Sequence, residues 1–176
     1  PLNYISSTCQ VCHRESEKTL RENVYERQRK VTQLREKAEE LLVKAHLEAK
    51  AAWDAGANEA EMSRILTLIR HAQWRWDFAA AGHGNSFHAP LETMRILGTS
   101  IEKAQEARLI LAKLLTSKGV NKIDYPDIST KTKAQKYIGL DIDKLKKEKQ
   151  EFLKTVVPEW VKKAKEREAK YTLQNI

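Results

Sequence analysis

SEKTLRENVYERQRKVTQLREKAEELLVKAHLEAKAAWDAG, residues 16–56, is one uninterrupted helical pattern without proline and with glycine only at its last position. Val24, Val31, Ala38, Ala45 and Ala52 recur at every seventh residue, and Leu34 and Leu41 occupy the intervening d positions. An apolar row of that period is a coiled-coil-like seam. Arg27 and Glu48 interrupt the d row, so the seam is expected to pack inside a bundle or a dimer, not as a free zipper. Its alanines allow another helix to approach closely. Gly56 supplies the residue that most readily takes the left-handed conformation ending a helix.

Working toward the N-terminus, residues 1–15 form a lead-in whose first eight residues show no periodicity. It contains Cys9-Gln10-Val11-Cys12-His13, the C-x-x-C-H spacing of a covalently attached c-type haem. Two thiols three positions apart can each form a thioether to one porphyrin vinyl group. The next residue, His13, is then held under the ring as an axial ligand to iron. Half a zinc site, a thioredoxin-like redox pair and a plain disulfide use the same spacing. The first needs a second cysteine pair, and these are the only two cysteines in the chain. The second belongs beside a βαβ pattern, whereas helix follows here.

Toward the C-terminus, Asn58 is a plausible N-cap for a helix reaching about Ala81, with Met62, Ile65, Leu66, Ile69, Ala72 and Trp76 as its stripe. A small-residue break over 82–90 leads to a third helix, from Pro90 to Lys118, stopped by Gly119. Its inner face is Met94, Leu97, Ile101, Ala104, Leu111 and Leu115. Residues 16–119 thus read as a three-helix bundle bearing the loop 82–90. Residues 120–142 read as a surface connection, and 143–176 as a last helix that Pro158 should kink or split after Val156 or Val157. No segment alternates long enough to build a sheet. The expected fold is all-α, a bundle of long helices.

The net charge of +8 is spread along helical faces where Lys and Arg alternate with Glu and Asp. Without a helix-turn-helix, zinc-finger or RNP-like pattern, no nucleic-acid partner is expected. A small anion or an acidic redox partner fits such a surface better. No apolar run approaches the roughly 18 residues that span a bilayer. Of the five histidines, His46 and His71 read as ordinary helix residues. His83 and His88 lie in the glycine-containing break, where backbone can approach a flat ligand; either one is a candidate axial ligand. Trp53, Trp74 and Trp76 read as core or porphyrin packing, and Met62 and Met94 as core. No nucleophile triad, phosphate loop or metal-spaced carboxylate group is present in the sequence.

The chain resembles the C-terminal portion of the ammonia-forming pentahaem cytochrome c nitrite reductases, a multihaem cytochrome family. Residues 9–13, 24–28, 45–50 and 70–77, then His83-Gly84 and His88-Ala89-Pro90, carry the resemblance. It covers nearly the whole chain, loosely beyond Gly119. It implies haem c on Cys9 and Cys12, with His13 proximal and the distal ligand of that haem upstream. It implies that His88 is the distal ligand of a neighbouring haem attached upstream, with His83 near the cofactors but not a ligand. It implies a homodimer through the long helices, in agreement with the seam. The family is periplasmic, reduces nitrite to ammonium with six electrons and is fed by a membrane-associated quinol-oxidising cytochrome. An exported parent whose signal lies outside this chain is expected, the first residue being Pro1. The C-x-x-C-K attachment of the catalytic haem, three further C-x-x-C-H motifs, the calcium site and the nitrite-binding residues have no counterpart here. The chain is therefore expected to be an electron-relaying and dimer-forming C-terminal part, not catalytic alone. Two rival readings are a self-contained monohaem electron-transfer cytochrome using His13 and His88, and a haem-free helical interaction module.

Overall fold

The computed structural model describes residues 2–82 and 84–173. The chain divides into two compact units, residues 1–125 and 126–176. Seven helices and no strand occur among the described residues. The first unit contains α1 (Ile5–Thr8), α2 (Glu17–Asp54), α3 (Glu59–Ala81), α4 (Asn85–His88) and α5 (Pro90–Ser117).

The long helices start and stop on local chemistry. The Ser16 hydroxyl accepts from Thr19 N–H at the start of α2. Gly56, at φ +82°, ends it, and Ala57 N–H returns to Ala52 O at 3.0 Å, the six-to-one bond of a Schellman turn. A capping box joins Asn58 and Glu61 at the start of α3. Hydrogen bonds from Asn58 N–H and the Lys118 ammonium hold the Glu61 carboxyl below its ordinary range. Pro90 opens α5, and Gly119, at φ +81°, follows its end.

Three apolar clusters run along the interior and set the helix directions. Val31 and Ala38 meet Ala79 and Leu97 at one end. Leu41 and Leu42 meet Ala72 and Ala104 in the middle. Ala45, Ala49 and Ala52 meet Met62, Ile65, Leu68, Ile69, Ala107, Leu111 and Leu115 at the other end. Thus α3 runs antiparallel to both α2 and α5. The buried Ser100 hydroxyl donates to Ala72 O at 2.7 Å, tying α5 to α3 inside the core. Leu68, Ala107 and Ser100 are core positions that the sequence stripes omit, whereas Leu66 of the expected stripe is exposed.

The heptad seam is consumed within the chain. Ala38, Ala45 and Ala52 have no accessible surface, because α3 and α5 cover them. Of the two packings expected of the seam, bundle or dimer, these alanines take the first. Glu48 sits in the same row and is also buried. Its carboxylate takes Arg108 Nε at 2.8 Å, Arg108 Nη2 at 2.6 Å and the Tyr125 hydroxyl at 2.5 Å. The bonded carboxylate raises the Arg108 pKa. Burial first, then the same carboxylate, raises that of Tyr125. Arg108→Ala should destabilise this unit by about 3–5 kcal/mol, since it strands a buried carboxylate. Replacing both partners, as Glu48→Leu with Arg108→Met, should recover most of that loss in a urea titration.

The second unit contains α6 (Lys131–Tyr137) and α7 (Ile142–Leu173). The stretch 120–142, read as a connection, thus holds a helix of its own. Thr130 caps it through Lys133 N–H, and Gly139, at φ +72°, ends it. Asp141 accepts from Lys144 N–H at the start of α7. α7 is not split at Pro158. Of the expected kink or split, the split does not occur, because one missing N–H is tolerated among the many hydrogen bonds of so long a helix. No helix of the described residues is long and apolar enough to cross a membrane.

Candidate haem site

Helix lengths bring the site together. At 1.5 Å per residue, the 38 residues of α2 span about 57 Å and the 23 of α3 about 35 Å. The chain returning along α3 therefore stops level with about Val31, short of the start of α2. The loop that follows lands beside Arg27, within reach of the lead-in. Local sequence does not reveal this meeting; the difference between two helix lengths does.

The lead-in is shaped by its own backbone. Cys9 N–H donates to Ile5 O at 2.8 Å, Cys12 N–H to Cys9 O at 3.2 Å and His13 N–H to Cys9 O at 2.9 Å. Gln10 Nε2 donates to Glu15 O at 2.9 Å and closes the turn that enters α2. Buried Ile5 anchors the segment. Cys9 is half-buried, Cys12 exposed, and both thiols are free. The His13 ring is more than half exposed, its Nδ1 3.8 Å from Glu15 Oε2.

These residues line one cavity of about 340 Å³ together with Leu20, Asn23, Val24 and Arg27 of α2 and Phe87 and His88 of α4. That volume lies at the lower end of the range for small-molecule pockets. The apolar wall consists of Leu2, Ile5, Leu20, Val24 and Phe87. The polar groups are the two thiols, two imidazoles, Glu15 and Arg27. His88 is held against the Phe87 ring, with centroids 4.5 Å apart. A flat apolar macrocycle with vinyl groups, an iron centre and charged edge groups fits this donor set. The thiols can take the vinyls, the imidazoles can reach iron, and Arg27 can meet an anionic edge. Among the described residues no group of three or more His, Cys, Asp or Glu side chains could hold a metal ion.

Cys9, Cys12, His13 and His88 are therefore brought together. His83, the other candidate in the loop, lies outside the described residues. His46 and His71 are exposed on α2 and α3. Met62 is core, whereas Trp53 and Trp74 are exposed. Sequence reasoning missed Arg27 and Phe87 as members of the site. Arg27 had left a signal, being a charge where the seam wanted an apolar residue.

The family model described as Cytochrome c552 matches residues 1–170. A cytochrome c-552 of Bacteroides fragilis is 58% identical over 166 residues, covering 94% of this chain and 34% of the relative. A cytochrome c-552 of Porphyromonas gingivalis is also 58% identical over 166 residues, covering 94% of this chain and 33% of the relative. The chain thus spans about a third of the length of the curated relatives it matches. By the match along nearly its whole length, and by relatives at this identity, the chain belongs to the cytochrome c552 family, a c-type cytochrome family that implies covalently bound haem c.

Proposed function

We propose that this chain is the electron-relaying, dimer-forming C-terminal part of a periplasmic cytochrome c nitrite reductase that converts nitrite to ammonium. The observation that carries the reading is the single cavity shared by Cys9, Cys12, His13 and His88 in a cytochrome c552 chain. Cys9 and Cys12 would hold the haem through two thioethers. The His13 imidazole would ligate the iron, with the Glu15 carboxylate 3.8 Å from its Nδ1. His88 would ligate the iron of a neighbouring haem. Leu20, Val24 and Phe87 exclude water from one edge of the site. When bound, haem iron supplies one-electron transfer between its two oxidation states. Nitrite and a membrane-associated quinol-oxidising cytochrome are then partners of the whole protein, as is the calcium of the family. The homodimer uses the long helices through an apolar face left outside the bundle, where Leu66, Trp74 and Phe78 of α3 are exposed.

The shared cavity also favours a second reading, in which His13 and His88 ligate one iron in a self-contained monohaem cytochrome. One preparation separates the two. The chain is exported with c-type haem maturation, and its denatured mass and visible spectrum are measured before and after adding imidazole. The first reading expects one bound haem, an exchangeable distal position that shifts with imidazole, and no ammonium from nitrite by this chain alone. A closed low-spin spectrum indifferent to imidazole would establish the second. A bare polypeptide mass after competent maturation would overturn both and leave the helical interaction module.

A further inference from the structure

We propose that Arg27 is the positioning residue of His88, clamping the peptide that carries it to α2; the role of His88 at the haem rests on the function proposed above. Arg27 Nη1 donates to Phe87 O at 3.1 Å, across sixty positions of chain. The same peptide unit is held at its other end, since His88 N–H donates to Gly84 O at 3.1 Å. A planar peptide bonded on both sides cannot rotate without breaking one of the two bonds. Ala89 N–H also donates to Asn85 O at 3.0 Å, so the peptides on both sides of His88 are held and the direction of its Cα–Cβ bond is set. The Phe87 ring then limits the imidazole, at 4.5 Å between centroids.

The rest of α4 is tied to α5. Buried Thr93 places its hydroxyl 2.9 Å from Ala89 O and 3.2 Å from Asn85 O. A helix of one turn has little cohesion of its own, so α4 is ordered by these outside bonds. Arg27 is the link to the helix that the lead-in enters, and its side chain also lines the cavity. One residue thus couples the position of His88 to the wall facing Cys9, Cys12 and His13. It also places a permanent positive charge there. This accounts for a d-row position that forgoes apolar packing.

The test uses Arg27→Gln and Arg27→Lys in the full chain. In the haem-free form, amide hydrogen exchange needs no assumption about ligation. Arg27→Gln should speed exchange in residues 84–89 by about ten- to a hundredfold, the range for losing one hydrogen bond from a charged donor. Exchange in α3 and α5 should be unchanged. Arg27→Lys should recover part of the protection, because an ammonium can reach a carbonyl but lacks the planar fork. Unchanged exchange at 84–89, or faster exchange throughout the bundle, would overturn the clamp. In the haem-loaded form, Arg27→Gln should lower the reduction potential, since a positive charge near iron favours the reduced state. The imidazole titration above decides the ligand reading on its own, and the exchange result in the haem-free form decides the clamp on its own.

Discussion

The double substitution Cys9→Ala with Cys12→Ala gives a chain whose denatured mass carries no added haem and whose visible spectrum has no Soret band. The two cysteines are the only ones in the sequence, so no other thiol can form the thioether. Either single substitution leaves one attachment, and the haem should then be retained in lower yield. His13→Ala should keep the covalent mass while changing the visible spectrum, because it removes an iron ligand and neither sulfur. The fold should survive all of these changes. Cys9 is half-buried and Cys12 exposed, so truncating them removes little apolar contact, on the order of 1 kcal/mol or less. Far-ultraviolet circular dichroism and mass spectrometry on one sample therefore separate loss of attachment from loss of structure. Haem mass persisting in the double variant would refute the attachment sites.

Ala38→Glu should unfold the bundle rather than divide a dimer. Ala38 has no accessible surface and packs among Val31, Ala79 and Leu97. A glutamate there must push three helices apart and bring a carboxylate into an apolar cluster without a partner. Overpacking and burial of an unpaired charge add, and the loss should exceed about 4 kcal/mol. Most of a domain's ordinary margin of roughly 5–15 kcal/mol is then at risk. The measurement is a thermal melt followed by circular dichroism. Trp74→Glu is the contrasting variant. Trp74 is 67% exposed, and its ring lies 6.4 Å from that of Phe78 on the outer face of α3. That substitution should leave the melting temperature within a few degrees and lower the mass in solution if this face joins two copies. An Ala38→Glu chain that melts normally would show that the seam is not core. An unchanged mass for Trp74→Glu would remove α3 from the dimer interface.

The two charges that interrupt the d row teach the same lesson about placement. Glu48 is a d-row interruption whose meaning lies in Arg108 and Tyr125, both far along the chain. Arg27 is another, whose meaning lies in the carbonyl of Phe87. A periodic reading registers each as an exception. The partner that makes it favourable is invisible until the helices are docked.

The ends of α2, α3 and α5 follow from Ser16, Gly56, Asn58, Pro90 and Gly119, because caps and stops act within one turn of their own residue. The Cys9–His13 spacing is local in the same sense, and so is the all-helical class. Those features the sequence determined by itself. It left open what covers the Val31–Ala52 seam, since an apolar stripe reports which face is buried and not what buries it. It also left open whether His88 could meet the lead-in. Tertiary structure decided both. The shorter α3 returns the chain partway along α2, so the seam is covered from within and the loop after α3 stops at Arg27. The physical reason is that hydrophobic burial has no direction, whereas helix lengths and the few hydrogen bonds joining distant residues do.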